Sequence, residues 1–431
     1  MEIVTVCRIL LCRMRSRRRL MPFLLALLHP VPALTADITL EQAWVQAEQA
    51  NPALRAAQAN LVAAQGELAD ASAPLWNNPQ LGAEWSQGIL PQTGAPDQIN
   101  RGQMAWLAQT FEIAGQQGKR RSTAEQSLAA TQEAIAEARR RLRAEVEQRF
   151  VHVLGLQLRI QMEERTLNLV REAATAVGKR VAAGEDSRLD GNLAQVEAER
   201  AQNQVSVLRE QLVQARAELA ALLQWPADGF PKVAGPIDLP PASYGLEDLL
   251  ISAANRPLLR AFDHREKAAR SRLDLERAKV YPDVTLSLGA GNGTPDSAGL
   301  KVTTFSVSLP LPLFRRNHAG IGRAMADLTQ AQVQKQAAQR DTRAQVIALW
   351  ERFEKLRARV RALEESVLPA LEENQHLSGI SFRAGEIGLL QLLLVNRQTL
   401  DGQLDLLDAR IALRQTQVEM EAAAGWQPVS R

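Results

Sequence analysis

Ala183-Gly184-Glu185 and Ala384-Gly385-Glu386 are one motif that occurs twice in this chain, 201 positions apart. Around each motif the apolar residues recur with helical spacing, so each motif predicts a turn between two helices. Glycine at its centre permits the positive φ that such a reversal requires. Trp225-Pro226 and Trp426-Gln427-Pro428 follow at the same separation. The chain is therefore predicted to contain two copies of a helical hairpin, which indicates an internal duplication.

Long helices are predicted on both sides of the two motifs. Upstream the repeat separation is 200, and one inserted or deleted residue explains the difference. The predicted helices cover about 119–182 and 319–383, with return helices over 189–223 and 389–424. Some sixty residues of helix extend roughly 90 to 100 Å, more than a compact domain needs. The apolar residues that pair at the 200-residue separation are Leu128, Val146, Val153, Ile160 and Leu167 with Leu328, Val346, Phe353, Val360 and Val367.

Apolar residues of the first long helix have the spacing of a coiled coil. An apolar residue recurs at every seventh position, as in the seam of a left-handed coiled coil. An earlier set keeps the same period and is offset by a stutter. The seam residues are Val146, Val153, Ile160, Leu167, Ala174 and Val181, preceded by Leu128, Ile135 and Leu142.

Alternating hydrophobicity ahead of each long helix predicts two β-hairpins. Residues 103–113 are the expected partner of the first strand, and turn-rich segments at 88–102 and 289–299 connect the strands of each hairpin. Each of the four strands is near the roughly 9 to 11 residues that a tilted strand needs to cross a bilayer. The alternating residues are Leu81, Ala83 and Trp85 in the first strand, Val284, Leu286 and Leu288 in the third, and Phe305, Val307, Leu309, Leu311 and Leu313 in the fourth.

Helical segments open each copy over about 40–73 and 246–279, and Pro74 and Pro282 are expected to end them. Five prolines within 224–245 exclude a helix there and predict a linker. The predicted organisation is a first copy over 37–223, the linker 224–245, a second copy over 246–426 and a tail at 427–431.

The N-terminus, residues 1–36, resembles an export signal. Several arginines precede an apolar run from Leu20 to Leu28 that is too short to span a bilayer. Met14 offers a second start, so the first 13 residues are a candidate misassigned extension. Cys7 and Cys12 both precede the expected cleavage point. No disulfide, thiolate metal site, cysteine nucleophile or N-terminal lipid anchor is therefore expected in the mature chain.

Composition argues against several classes of function. Aromatic residues make up only 4% of the chain, which favours long helices over a thick globular core. A net charge of +3 is too small for a nucleic-acid footprint, and the basic run 139–143 is interpreted as a solvated helix face. No phosphate loop, nucleophile elbow or Cys/His pair occurs, so neither enzymatic activity nor a cofactor is expected. The mature histidines His152, His264, His318 and His376 are scattered and predict no metal site.

These features resemble the outer-membrane efflux protein family, the TolC-like channel-tunnels. The resemblance covers nearly the whole mature chain and is carried by Leu40-Glu41-Gln42-Ala43, the two hairpins, the segment Ser308 to Phe314 and the paired Ala-Gly-Glu turns. It implies a mainly α fold with a small β part, in which four strands per chain complete a trimeric outer-membrane β-barrel above a long periplasmic coiled-coil barrel. It also implies an exit duct in contact with outer-membrane lipid, a periplasmic adaptor and an inner-membrane transporter.

Two segments are similar to one branch of that family. Asn78-Pro79-Gln80-Leu81 and the run from Phe111 to Arg120 resemble proteins of cobalt-zinc-cadmium type cation efflux systems. This resemblance implies a resistance-nodulation-division type pump with heavy-metal cations as its cargo. Because nothing in the chain predicts a tight metal site, cation selection is expected to lie in the partners.

The resemblance also implies that the helix-to-helix turns form a periplasmic tip, where the adaptor docks and the pore closes. A pore constriction is implied at Asp190, while Gln391 and Leu394 stand where aspartates often occur, so the acidic ring would be thinner. The plainer interpretations are that the glycines only end helices and that Asp190 caps a helix. The implied docking residues are Arg180, Ala183, Gly184, Glu185, Ser187 and Leu189 in the first copy, and Arg383, Ala384, Gly385, Glu386, Gly388 and Leu389 in the second.

Other interpretations of the sequence stay open. A channel for drug efflux or type I protein secretion would use the same fold. A soluble periplasmic coiled-coil scaffold belongs to a different class, and the low aromatic content favours it because membrane barrels usually carry aromatic girdles. A scaffold would need neither the alternating strands nor their duplication.

Overall fold

The computed structural model describes residues 37–91, 93–94, 96–226, 229–238, 244–292 and 300–426. The expected export signal with its two cysteines, the tail at 427–431, most of the second turn-rich segment and parts of the linker lie outside the described residues. Among the helices of the described ranges, none is both long enough and apolar enough to cross a membrane.

Each copy opens with two helices, whereas the sequence pattern predicts one. The break falls just before Pro52 in the first copy and before Pro257 in the second. Proline restricts the preceding residue to extended conformations and suits the first position of a new helix. The second helix of each pair ends before Pro74 or Pro282 is reached, so these prolines do not end it. The helices are α1 (Leu40–Ala50), α2 (Pro52–Ala71), α5 (Leu246–Ala254) and α6 (Pro257–Ala278).

One antiparallel sheet contains the four predicted strands in the order β1-β2-β3-β4. Each copy contributes a hairpin, and β2 joins the two hairpins by pairing with β3, where Trp106 lies opposite Gly289. The prediction of four strands is confirmed, and they form a single sheet. Their ranges are β1 (Gln80–Leu90), β2 (Gln98–Phe111), β3 (Val284–Asn292) and β4 (Lys301–Ser308).

Several strand boundaries differ from the predicted ones, since β1 continues to Leu90 and β3 to Asn292, inside the segments predicted as turns. β2 begins at Gln98, so part of the segment predicted as a turn is strand. The alternation of apolar residues predicts strand as far as Leu313, whereas β4 ends at Ser308. Pro310 and Pro312 lack the N–H groups that a strand ladder requires, so the apolar alternation beyond β4 is not accompanied by strand pairing.

The sheet leaves large apolar side chains exposed in the single chain. Leu81 is 82% exposed, Trp85 73% and Phe305 68%. β1 and β4 are the edges of the sheet, and each pairs on one side only among the described strands. Exposed apolar surface together with open edges is typical of a sheet that is completed by a further partner.

Two long helical hairpins account for most of the chain, as predicted. In the first copy α3 (Gln116–Ala182) returns through α4 (Arg188–Leu223). In the second copy α7 (His318–Ala362), a π-helical turn (Leu363–Val367) and α8 (Leu368–Arg383) return through α9 (Leu389–Ala424). With 67 residues, α3 is about 100 Å long at 1.5 Å per residue.

The π-helical turn explains why the repeat separation changes from 200 to 201. A π-turn is one residue wider than an α-turn, so it absorbs an inserted residue within the helix. Val367, the predicted counterpart of Leu167, is 40% exposed, whereas Leu368 packs against the buried cluster that contains Val360. The prediction for Val367 is therefore wrong by one residue. Pro369 follows directly and has no N–H to donate within a regular helix.

The main apolar core lies where the short opening helices cover the long hairpins, a level that we call the waist. Val146, Phe150 and Leu219 form its centre in the first copy, and Val346 and Met420 do so in the second. All five side chains are almost fully buried. The predicted seam is confirmed from Val146 to Leu167, whereas towards the end of α3 Ala174 and Val181 are only half-buried and Val177 is the buried residue.

Candidate functional site

The first tip, residues 179–191, reverses the chain with a glycine in the left-handed conformation. Gly184 has a φ of +80°. The N–H of Glu185 donates to the carbonyl of Arg180 at 2.8 Å, and the N–H of Gly184 donates to the carbonyl of Val181 at 3.1 Å. This pair of bonds is the Schellman motif, which satisfies carbonyls that the end of α3 would otherwise leave free.

The second tip, residues 380–392, has the same backbone arrangement. Gly385 has a φ of +76°. The N–H of Glu386 donates to the carbonyl of Ser381 at 2.9 Å, and the N–H of Gly385 donates to that of Phe382 at 3.1 Å. Ala183 and Ala384 occupy the same position, the last residue before each left-handed glycine. The shared motif therefore fixes the same turn in both copies.

Charged side chains fill the first tip. Nη2 of Arg180 lies 3.0 Å from a carboxylate oxygen of Asp186, and Nε lies 3.8 Å from Glu185. Ser187 caps α4, because its Oγ accepts the N–H of Asp190 at 3.1 Å and donates to the Asp190 carboxylate at 2.6 Å. Leu189 is 66% exposed beside them.

The second tip has few charges and a more apolar surface. Ile387 stands where the first copy has Asp186, and Gly388 replaces the capping Ser187, so α9 begins without a side-chain cap. Exposed leucines are common to both copies, since Leu390 (70% exposed) and Leu394 (56%) match Leu189 and Leu193 of the first copy. Leu389 begins α9, and its side chain lies outside the described part of the chain.

The two predicted tip arginines are not equivalent. Arg180 supplies the carbonyl that closes the first turn, and in the second copy Ser381 supplies it. Arg383 directly precedes Ala384 and donates its Nε to the carbonyl of Gly379 at 3.1 Å. The ion pairs of Arg180 thus have no counterpart among the described residues of the second tip.

The two predicted constriction residues occupy matching positions. Asp190 is the third residue of α4, and Gln391 is the third residue of α9. Ser187, and not Asp190, is the N-cap of α4, and Asp190 is half-buried against it, while Gln391 is exposed. A role for either residue at a pore stays a prediction.

Sequence reasoning missed a buried ionic cluster at the waist. The basic run 139–143 was interpreted as solvated, but the Arg140 side chain is only 11% exposed. Glu137 lies at its centre and accepts hydrogen bonds from Arg140, Arg141 and Arg256. Arg256 also donates to the carbonyl of Ala423 at 3.1 Å. The only available signal was the position of Arg256 before Pro257, which matches Asn51 before Pro52.

Opposing effects set the charge state of this waist cluster. Burial works against the ionised form of Glu137, but hydrogen bonds from Arg256 and Arg140 outweigh burial and lower the pKa of the carboxyl group. Burial also lowers the pKa of Arg140, and the neighbouring Arg256 adds to that effect. An arginine still keeps its proton at neutral pH, so the cluster carries several buried charges.

The described residues contain no group of three or more His, Cys, Asp or Glu side chains arranged to hold a metal ion. One of the scattered histidines, His264, has an ordinary structural contact, because its Nδ1 forms a hydrogen bond of 2.9 Å with the side chain of Gln126. Within the part of the chain that the structure describes, the tips and the waist are therefore characterised by their ion pairs and backbone turns.

Comparison with known proteins identifies relatives over nearly the whole described chain. The family model described as outer membrane efflux protein matches residues 43–223 and 251–426. The cobalt-zinc-cadmium resistance protein CzcC of Cupriavidus metallidurans is 28% identical, over 87% of this chain and 85% of that protein. The nickel and cobalt resistance protein CnrC of the same species is 27% identical, over 75% and 74%. Crystal structures of CusC, described as a transmembrane channel, have a TM-score of 0.73 at 19% identity, covering 89% of this chain and 91% of CusC.

Proposed function

The chain belongs to the outer membrane efflux protein family, and on that basis we propose that it is the exit duct of a tripartite pump and conducts heavy-metal cations passively out of the periplasm. The observation that carries the proposal is that the two hairpins form one sheet whose apolar side chains are exposed. The match of both copies to the family model supports it. Such a sheet suits a lipid environment better than an aqueous one.

The open edges of the sheet support an assembly of several chains. In lipid an unpaired strand edge leaves N–H and carbonyl groups without partners, which costs several kcal/mol for each group. Four strands are too few to close a barrel, so β1 of one chain would pair with β4 of the next. Three chains would supply twelve strands around one axis, and we propose this trimer with outer-membrane lipid around it.

Heavy-metal cations are the proposed cargo because the two relatives reported above are named for resistance to cobalt, zinc, cadmium and nickel. At 28% and 27% identity these relatives support a class of cargo. The proposed duct does not itself select the ion. Selection would then fall to the inner-membrane transporter and the adaptor.

The two tips are the proposed docking points for the adaptor. Each presents an exposed glutamate, Glu185 or Glu386, directly after a glycine turn that holds its backbone in one conformation. The proposed constriction combines Asp190 of the first tip with Gln391 of the second, repeated around the trimer. An acidic ring attracts cations, and opening would separate the hairpins that carry it.

Deletion of the gene in the organism that carries it tests the proposed cargo. Cells would be exposed to cobalt, zinc or cadmium, and their metal content measured by mass spectrometry with and without a plasmid-borne copy. We expect several-fold higher metal content in the deletion strain and full restoration by the plasmid. Unchanged metal content together with new sensitivity to organic solvents or dyes would contradict a metal cargo and favour drug efflux.

A charge reversal at both tips tests adaptor docking. The double variant Glu185→Arg and Glu386→Arg should abolish complementation while the protein remains in the outer membrane with unchanged oligomeric state. The matched control is Glu172→Arg, an exposed position on α3 away from the tip. Equal loss of complementation in the control, or full activity of the double variant, would contradict docking at the tips.

A further inference from the structure

The waist cluster has more positive than negative charge. Oε1 of Glu137 accepts from Nη2 of Arg256 at 2.6 Å, from Nη2 of Arg140 at 2.6 Å and from Nε of Arg141 at 2.8 Å. One carboxylate thus serves three guanidinium groups. The side chains of Arg140 and Arg256 are only 11% and 8% exposed. Buried like charges repel each other strongly because little water screens them.

Arg140 also has an unused donor. Its Nη1 is buried and has no hydrogen-bond partner among the described residues. A buried charged donor without an acceptor is costly, and most such groups in folded proteins are satisfied by protein, water or an ion. Burial and the nearby Arg256 lower the pKa of Arg140. The excess of guanidinium groups over carboxylates in the cluster therefore favours a negatively charged group at its exposed side.

A groove of about 780 Å³ lies beside this cluster, between α3, α7 and α9. Arg140, Arg141 and Arg256 all line it, and so does Arg149, a little more than two turns beyond Arg141 on α3. The wall also contains neutral polar side chains such as Gln148 and Gln345, together with two glutamates and three alanines. The groove is large enough for a small multiply charged solute, and its walls are rich in hydrogen-bond donors.

We propose that this waist groove is a binding site for an oxyanion, either phosphate or a solute with several carboxylates. Arg141 is 60% exposed and can turn one face of its guanidinium group to the ligand while Nε stays bonded to Glu137. Arg149, which also lines the groove and is 45% exposed, supplies a second guanidinium group beside its ion pair with Glu218. Guanidinium groups bind phosphate and carboxylate through charge-assisted, often bidentate hydrogen bonds. The bound anion neutralises the excess charge of the cluster.

Two carboxylates that also line the groove affect the ligand differently. Glu419 is already engaged, since it accepts from Nε2 of Gln148 at 3.3 Å and lies 3.8 Å from Arg352. Glu145 is exposed and has no ion pair within 4 Å among the described residues. Glu145 therefore opposes an incoming anion and limits its affinity. Removal of this charge should strengthen binding, an effect that a purely structural cluster would not produce.

Isothermal titration of the full mature protein in detergent tests the site. Sodium phosphate and sodium citrate would be titrated separately against a chloride background of matched ionic strength. We expect saturable binding of at least one of them, with one site per chain. Arg141→Gln should weaken it about tenfold or more, because a charge-assisted contact is lost, and Glu145→Gln should tighten it several-fold. Arg121→Gln is the matched control, an exposed arginine of α3 that forms an ion pair with Glu125 outside the groove, and should leave binding unchanged.

The two anions distinguish the sources of the ligand. Binding of phosphate supports free phosphate, and binding of citrate alone supports a polycarboxylate solute. Absence of saturable binding for both anions in the unmodified protein would overturn the proposal. Equal affinities in Arg141→Gln and Arg121→Gln, with no gain in Glu145→Gln, would also overturn it. Arg141 and Glu145 are both exposed, so these variants should fold, and circular dichroism would verify this.

Discussion

The two copies share a backbone at their tips and differ in the side chains around it. Both turns depend on a left-handed glycine and the same two hydrogen bonds. The first tip surrounds this turn with Asp186, Ser187 and Asp190, whereas the second has Ile387, Gly388 and Gln391 at the matching positions. Folding thus requires only the glycine turn. The differing side chains are free to serve contacts outside the chain, so the two tips would present different surfaces to a partner.

The waist shows the same kind of difference. Asn51 caps the start of α2 in the first copy, where its Oδ1 accepts from the N–H of Ala53 at 3.0 Å and its Nδ2 donates to the carbonyl of Leu222 at 3.2 Å. Arg256 stands at the matching place in the second copy and donates to the carbonyl of Ala423, but it also reaches Glu137 in the first copy. The residue before the second opening helix is therefore a local cap in the first copy, and in the second copy it forms a contact between the two copies.

The largest expected effect comes from breaking that contact. Glu137→Gln leaves three arginines without their carboxylate and should destabilise the protein by about 3 to 5 kcal/mol. Asn51→Ala, the matching change in the first copy, should cost about 1 kcal/mol as the loss of a cap. Thermal unfolding in detergent followed by circular dichroism would measure both. The control is Glu133→Gln, whose pair with Arg260 is more exposed and should be worth less than about 1 kcal/mol.

A fall in pH should destabilise the waist by protonating Glu137. The pKa of Glu137 in the folded protein is lowered from 4.5, so the stability that its ionised form contributes is complete above about pH 5 and is lost as the pH falls through the lowered value. Unfolding midpoints measured from pH 7 down to pH 3 should fall less steeply in Glu137→Gln than in the unmodified protein. Parallel curves would contradict an ionised Glu137 in the cluster.

A proline at matching positions should affect the stability of the two long helices differently. The second copy tolerates Pro369 because the π-helical turn precedes it, but α3 is α-helical throughout. Asn168 is the matching position in the first copy, and Asn168→Pro should cost about 3 kcal/mol through a lost hydrogen bond and a steric clash. Asn168→Ala, measured by the same thermal unfolding, should be close to neutral. A proline variant as stable as the alanine variant would show that the π-turn is not needed.

The tip glycines should respond equally, since their turns are alike. Gly184→Ala and Gly385→Ala each place a Cβ at a positive φ and should cost about 1 to 2 kcal/mol. Hydrogen exchange at the two tips would detect the local opening. A clearly larger effect at one tip would mean that the charged or apolar surroundings, and not the backbone, hold that turn.

The smallest expected effect concerns the helix starts beyond the tips. Ser187→Ala removes the cap of α4 and should cost about 1 kcal/mol, whereas Gly388→Ser should stabilise α9 by only a few tenths of a kcal/mol. Hydrogen exchange of the first turns of α4 and α9 would measure both changes. Faster exchange in α9 after Gly388→Ser would contradict a capping role at this position.

Periodicity predicted the parts of the fold that local sequence controls. The heptad of Val146 and Val153 and the alternation of Leu81 and Trp85 each specify one face of one element, and both patterns match the structure. Breaks that depend on one residue were harder to predict. Pro52 was included in a longer helix although proline is well placed to begin a helix, and strand was predicted beyond Ser308 because Pro310 does not interrupt the alternation.

Tertiary contacts explain the rest of what the sequence did not reveal. Glu137 and Arg256 are 119 positions apart, and a run rich in arginine usually marks a solvated surface. No local pattern indicates that the second copy inserts a guanidinium group beside that run. The π-helical turn was also hidden, although the change in repeat separation from 200 to 201 pointed to an extra residue close to it.

The size of the particle extracted from an outer-membrane fraction tests the proposed duct most directly. Light scattering with correction for bound detergent would count the chains in the purified mature protein. We expect three chains in a particle that needs detergent to remain dispersed, since the open edges of the sheet require partners in lipid. A single chain that stays dispersed without detergent would contradict the duct and favour a periplasmic scaffold.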